Sequence, residues 1–152
     1  MEEELREGEK GELIVWNLFI KQKSIRSVVD VRDDLRFREE DVDFLVEDIN
    51  RQFTKLEVKT DLYADKTGNF AYEKESSKTY HTKGCFEKTK ADFIAYYVPG
   101  LNKVFLLNVR LLRDYVNGSN LRLVQMGDDA LGYLIPFKEL AIREIITKEY
   151  KV

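Results

Sequence analysis

The sequence predicts an α/β (α+β) domain in which a central mixed β-sheet is flanked by helices. Two observations lead to this fold class. A helical apolar pattern at 4–22 is followed by a meander of short strands, and strand and helix patterns then alternate to the end of the chain. That order implies a mixed sheet with helices packed on it. The length of 152 residues suits one compact domain, 1–152.

The first half of the chain predicts one helix and four strands. In the helix, Leu13, Trp16 and Phe19 or Ile20 recur at helical spacing, although Gly8 and Gly11 weaken its first half. Apolar runs predict strands at 28–31, 42–46, 53–60 and 70–73. The charged stretch 32–40 predicts a loop, and turn-forming residues stand at 47–50 and 67–69.

The second half predicts alternating strands and helices after a polar connection. Residues 74–90 are polar and predict a long exposed loop or a short irregular helix. Strands are predicted at 92–98, 103–109, 121–126 and 133–137. Helices are predicted at 110–116 and, from the apolar Leu140, Ile142, Ile145 and Ile146, at 137–148.

Composition excludes several classes of protein. A single Cys85 and a single His81 cannot form a disulfide or a four-ligand zinc site, and a reducing, intracellular setting is the simpler interpretation. No apolar run is long enough to span a membrane, and the acidic start at 1–4 is unlike a secretory signal. We therefore expect a cytoplasmic protein.

Charge is distributed unevenly along the chain. The net charge is −3 overall, with 8 Lys/Arg and 15 Asp/Glu in residues 1–50, which gives −7. Residues 51–90 carry 9 Lys/Arg and 6 Asp/Glu, which gives +3. Residues 91–152 carry 8 Lys/Arg and 7 Asp/Glu, which gives +1. A basic region beside an acidic pocket suits phosphodiester chemistry.

The strand at 53–60 carries the chemistry-bearing residues. Because side chains alternate faces, Leu56 and Val58 share one face while Glu57 and Lys59 share the other. If the preceding strand forms a hairpin with it, Asp43 comes close to Glu57. Two carboxylates and the Val58 carbonyl are hard oxygen ligands of the kind Mg²⁺ prefers. Lys59 can orient or deprotonate the attacking water, or stabilise charge on the transition state.

Asp43 followed by a turn and Glu57-Val58-Lys59 resembles the active-site motif of the PD-(D/E)XK nuclease superfamily. The segments 59–61, 67–73 and 89–93 resemble small phage-type or mobile-element members, so the resemblance covers roughly 8–110. It implies a restriction-endonuclease-like core and Mg²⁺-dependent hydrolysis of nucleic acid, chiefly DNA, with Mn²⁺ able to substitute. It also implies a host-cytoplasm location for a cellular, phage or mobile-element protein, and two-fold homodimers occur among such nucleases.

The resemblance gives each residue an expected role. Asp43 and Glu57, with the Val58 carbonyl, match the metal ligands, and Lys59 matches the catalytic lysine. Glu12 of the first helix matches a further acidic residue that reaches the metal in many members.

Several positions are open to two interpretations. Asp41 lies two residues before Asp43 and competes with it as a ligand, and the proline of the family motif is absent. Glu73, Lys88 and Lys90 are candidate substrate-binding residues, and each is also explained as solvated surface. Basic residues interleave with Tyr80 and Phe86 in the polar connection, which suits nucleic-acid contact: Lys74, Lys78, Lys83 and Lys88.

Two alternative functions remain open from the sequence. The first is a non-catalytic nucleic-acid-binding module on the same fold. The second is a protein-interaction module, which the acidic first fifty residues favour.

Overall fold

The computed structural model describes residues 2–152. Six helices and ten strands lie in the following order: α1 Glu2–Ile20, β1 Ile25–Asp30, α2 Leu35–Glu39, β2 Phe44–Asp48, β3 Phe53–Thr60, α3 Ala64–Thr67, β4 Asn69–Ser77, β5 Thr82–Lys83, α4 Cys85–Lys88, β6 Phe93–Val98, β7 Lys103–Asn108, α5 Val109–Gly118, β8 Val124–Met126, β9 Ala130–Pro136, α6 Phe137–Ile142 and β10 Ile146–Lys151. No helix in this part of the chain is both long and apolar enough to cross a membrane.

The main sheet has six strands in the order β1-β2-β3-β6-β7-β10. The central pair, β3 and β6, is parallel, with Val58 opposite Ala95, and the other pairs are antiparallel. A parallel pair at the centre needs a long crossover, which residues 61–92 supply. The predicted α/β fold, a central mixed sheet flanked by helices, is therefore confirmed.

Each face of this sheet is covered by a different layer. Helix α1 covers one face, where Val15 and Phe19 pack against Leu56, Val58 and other apolar side chains of the sheet. A second sheet of four strands, in the order β5-β4-β9-β8, contributes the aromatic core on the other side together with α5 and α6. Central strand β3 is consequently covered on both faces, and Leu56, Glu57 and Val58 in its middle are buried.

The structure corrects three predicted elements. The predicted helix at 137–148 ends at Ile142, and Glu144 then has a φ of +59°. The β-branched Ile146 begins the edge strand β10, where it pairs with Leu107 of β7. The charged loop at 32–40 contains α2, because the Asp34 side chain caps a helix by accepting from the Arg36 N–H. The polar connection at 74–90 continues β4 and contains β5 and α4.

The stripe that α1 buries also differs from the predicted one. Gly11, Val15 and Phe19 are its buried residues, whereas Leu13 is 60% exposed and Ile20 is 46% exposed. A Cβ at Gly11 would lie 2.0 Å from Thr60 Oγ1 and 3.3 Å from Tyr97 Cδ1. The glycine is thus what lets α1 approach β3 and bring the next residue, Glu12, toward the end of that strand.

We expect alanine at Gly11 and at Gly8 to change stability in opposite directions. Gly8 lies in the same helix with nothing within 4 Å of a new Cβ, so Gly8→Ala should stabilise by about 0.5–1 kcal/mol through helix propensity. Gly11→Ala should destabilise by roughly 1–3 kcal/mol, because overpacking against Thr60 outweighs that gain. Urea denaturation of both variants measures the difference. Equal stabilisation by the two would contradict the close α1–β3 contact.

Candidate functional site

A gap between β2 and β3 is the starting point of the site. The ladder begins at the pair Phe44 and Leu56, and before it the Asp43 N–H donates to the Leu56 carbonyl at 2.9 Å. Beyond it, the Val58 N–H has no strand partner on that side and donates to Asp43 Oδ2 at 2.7 Å. The N–H and C=O of one strand residue point to the same side, so the Val58 carbonyl faces this gap too.

A cleft of about 550 Å³ opens over the gap. Its wall contains five acidic and three basic side chains, a formal balance of −2: Glu12, Asp33, Asp41, Asp43 and Glu57 against Arg32, Arg38 and Lys59. The backbone of Val42 and Val58 completes it. An excess of carboxylates in a confined space favours the entry of a cation.

Glu57 is the most buried charged group of the cleft, only 3% exposed. Its Oε1 lies 3.1 Å from Lys59 Nζ, so the two side chains share one face of β3 as the sequence predicts. Its Oε2 is buried and makes no hydrogen bond within residues 2–152. A buried carboxylate oxygen without a donor is unfavourable, and a cation or an ordered water would satisfy it.

Burial dominates the ionisation of the two central carboxyls. It raises the pKa of Asp43 to about 6, despite the hydrogen bond from Val58. It raises the pKa of Glu57 to about 7, despite the nearby Lys59 and the buried Thr89 hydroxyl. For Lys59 itself burial acts to lower the pKa, but Glu57 and the other surrounding groups outweigh it and the net pKa is raised. Lys59 is therefore a persistent ammonium, suited to orienting water and stabilising charge rather than to accepting a proton.

Glu12 reaches the same cleft from α1. Its carboxylate accepts a hydrogen bond from Arg32, which also binds both oxygens of Asp30. Glu12 also raises the pKa of Asp43, after the larger effect of burial. The structure thus brings Glu12 to the same cleft as Asp43, Glu57 and Lys59. The Glu12 carboxylate is nevertheless paired with Arg32.

The remaining predicted residues lie apart or at the margin. Asp41 lines the cleft, but it lies before β2 at a φ of +58°, so it does not continue the side-chain alternation of that strand. Its carboxylate lies 3.6 Å from Lys88 Nζ, which is outside the cleft wall. Lys90 is exposed and also outside that wall. Glu73 lines a neighbouring cavity of about 570 Å³, which Glu12, Val58 and Lys59 also line. There the Glu73 Oε1 accepts from the Cys85 N–H at 3.3 Å.

Sequence reasoning missed three residues of the cleft, all in the charged stretch after β1. Arg32, Asp33 and Arg38 line the wall, and they were assigned to a solvated loop. The cap of α2 at Asp34 is the one local signal that the stretch is folded. Nothing in the sequence distinguishes these side chains from surface charges.

The oxygens around the gap are of the kind that a divalent cation binds. Within residues 2–152, no three His, Cys, Asp or Glu side chains converge as a preformed metal site. Asp43 and Glu57 nevertheless supply hard oxygens beside the Val58 carbonyl, and Glu57 Oε2 lacks a partner. Mg²⁺ needs only one or two carboxylates because it keeps several waters. These residues could therefore hold Mg²⁺, with Asp43, Glu57 and the Val58 carbonyl supplying the oxygens from the protein.

Comparison with known proteins gives one informative likeness. No family model and no curated protein matches the chain. A solved structure, that of the bacterial homing endonuclease I-Ssp6803I, matches with a TM-score of 0.52 and 20% sequence identity, over 80% of this chain and 78% of that one. At this identity the likeness shows the fold, which is that of an endonuclease structure.

The raised pKa values predict a pH-dependent stability of the metal-free protein. A carboxyl whose folded pKa exceeds its unfolded value stabilises at low pH, and that stability is lost as pH rises through the folded pKa. For Asp43 and Glu57 this window runs from about pH 4 to about pH 8. Glu57→Gln should therefore gain roughly 1–3 kcal/mol relative to the parent between pH 5 and pH 8. Urea denaturation with a chelator measures it, and a pH-independent difference would contradict the burial of an ionisable Glu57.

Proposed function

We propose that the protein is a Mg²⁺-dependent nuclease with a PD-(D/E)XK-type site that hydrolyses phosphodiester bonds of DNA. The observation that carries the proposal is the partnerless oxygen of Glu57 in an acidic cleft beside Asp43, the Val58 carbonyl and Lys59. The sharing of a fold with a homing endonuclease supports it. Mn²⁺ is expected to replace Mg²⁺.

Each side chain would have a separate task in hydrolysis. Bound Mg²⁺ supplies a Lewis acid and lowers the pKa of a coordinated water. The Val58 N–H fixes one oxygen of Asp43, which leaves the other oxygen free to act as a ligand. Glu57 supplies the second carboxylate. Lys59, held as an ammonium beside Glu57, orients the attacking water and stabilises negative charge on the phosphate in the transition state.

The choice of DNA rests on the neighbour in fold, which is named as a homing endonuclease. The cleft also carries Arg32 and Arg38 beside its carboxylates, which suits a phosphate backbone. Arginine binds phosphate through paired N–H groups. A two-fold homodimer remains part of the proposal, because cutting both strands of a duplex would use two such clefts.

A second candidate is a nucleic-acid-binding module without catalysis, and one observation favours it. Glu12 and Glu57 are both engaged with basic side chains, and the described part of the chain holds no preformed group of three ligands. Salt-sensitive binding with no metal-dependent product would support this role.

We expect loss of the Lys59 ammonium to abolish cleavage. Lys59→Ala should lower the Mg²⁺-dependent cleavage rate at least about 100-fold, because transition-state charge loses its stabilising cation. Lys55→Ala is the matched control, since Lys55 stands on the same strand face but pairs with Glu40 outside the cleft. Cleavage of plasmid and linear DNA, with circular dichroism to check folding, provides the measurement. A Lys59→Ala protein that cuts as fast as the control would sink the proposed mechanism.

We also expect a divalent ion to bind at the gap itself. Crystals soaked in Mn²⁺ should give an anomalous peak among Asp43, Glu57 and the Val58 carbonyl, and Asp43→Asn should weaken it. A peak elsewhere, or none at saturating Mn²⁺, would favour the binding module instead.

A further inference from the structure

Arg32 lies in the wall of the cleft and contacts two carboxylates from two different elements. Its Nε and Nη2 donate to the two oxygens of Asp30 at 2.9 and 2.7 Å, and its Nη1 donates to Glu12. The Phe44 ring lies below it, 5.5 Å from the guanidinium carbon. The guanidinium is thus fixed at the junction of β1, α1 and the cleft.

The geometry of a guanidinium separates these two contacts. Arginine has five N–H donors arranged as two forks, one along its side through Nε and Nη2 and one at its end through Nη1 and Nη2. Asp30 occupies the side fork, and Glu12 occupies part of the end fork. Release of Glu12 alone would therefore free the end fork while Asp30 still held the guanidinium in place.

Arg36 makes the same side contact as Arg32. Its Nε and Nη2 donate to Asp34, two residues earlier, at 3.2 and 2.9 Å, the same pattern as Arg32 with Asp30. Arg36 forms no ion pair with a second carboxylate in residues 2–152, and it lies outside the cleft. The side contact therefore also occurs without a second carboxylate, and the Glu12 contact of Arg32 is an addition to it.

We infer that Arg32 is a phosphate-binding residue of the cleft, and that Glu12 occupies its end fork until Glu12 is released. The inference rests on the proposed function and adds a residue and a regulating contact to it. The ligand is a backbone phosphate of a nucleic-acid strand, whose paired oxygens match the freed fork. Arg32 is 39% exposed and Glu12 24% exposed, so both side chains can be reached from the cleft.

This exchange couples cation and nucleic acid. A cation that draws Glu12 toward Asp43 frees Arg32 for phosphate, and a phosphate that takes Arg32 frees Glu12 for the cation. By linkage each ligand strengthens the binding of the other to the same extent. In the absence of both, the Glu12–Arg32 pair neutralises two charges inside the cleft.

The test measures binding of a short random-sequence DNA duplex by fluorescence anisotropy with a chelator present, so that it depends on neither metal nor cleavage. Glu12→Gln removes the carboxylate charge and leaves Arg32 only a weaker amide acceptor, which a phosphate can displace, so binding should tighten about tenfold, as expected for the loss of a competing charge-assisted hydrogen bond. Asp33→Asn is the matched control, because it also removes one negative charge from the cleft wall but leaves Arg32 paired. It should tighten binding only about twofold through general electrostatics.

A double-mutant cycle assigns the gain to Arg32. In an Arg32→Gln background, Glu12→Gln should improve affinity no more than Asp33→Asn does. Arg32→Lys serves as a second background if the glutamine variant is unstable, since lysine keeps the charge but lacks the fork. Equal gains from Glu12→Gln and Asp33→Asn, or a gain that persists without Arg32, would overturn the inference.

Failure of the proposed function gives a different result. If the parent binds duplex and the cycle behaves as expected but Mg²⁺ produces no cleavage, the phosphate site stands and the nuclease proposal falls. If neither the parent nor Glu12→Gln binds duplex at low salt, the phosphate site is overturned, and the Mg²⁺-dependent cleavage assay decides the nuclease proposal separately.

Discussion

The hydrogen bond from the Val58 N–H to the Asp43 carboxylate is the contact on which the candidate site depends. The pairing between β2 and β3 extends no further than Phe44 and Leu56. Without the Asp43 carboxylate, the Val58 N–H would have no hydrogen-bond partner on that side of β3. The carboxylate fills that place in the ladder with one oxygen. The same contact leaves a second carboxylate oxygen and a backbone carbonyl at the opening, so the irregularity in pairing creates a set of ligands.

The surrounding fold keeps this opening in a fixed relation to its neighbours. Parallel pairing with β6 and the packing of α1 bury β3 on both sides, so its alternation of side chains cannot slip without exposing Leu56 and Val58. Gly11 brings α1 within contact of Thr60, and this places Glu12 beside the end of the strand. The three acidic groups thus come from α1, from the residue before β2 and from β3, and core packing fixes α1 against β3.

Prediction from the sequence succeeded where a periodic apolar pattern coincides with a single strand. The strand at 53–60 was predicted with the bounds that β3 has, because turns flank it and its apolar residues alternate. It failed at 137–148, where the apolar spacing fits a helix but tertiary pairing with β7 makes a strand after Ile142. The cleft was only partly foreseen, because Arg32 and Arg38 gain their position from the path of the chain around α2. That path depends on long-range packing, which the local spacing of residues in the sequence does not indicate.

The electrostatics of the cleft explain why a protein would retain so unfavourable an arrangement. Burial disfavours charge on Asp43 and Glu57, and the single ammonium of Lys59 does not offset it, so both pKa values remain raised. Buried charged groups cost free energy that their pairs rarely return in full, although the Asp43 carboxylate also satisfies the Val58 N–H. Proteins are commonly less stable than they could be because their functional sites need such a preorganised environment. The desolvation that weakens the empty protein would strengthen every contact to a cation at the gap, because the same low dielectric acts on both.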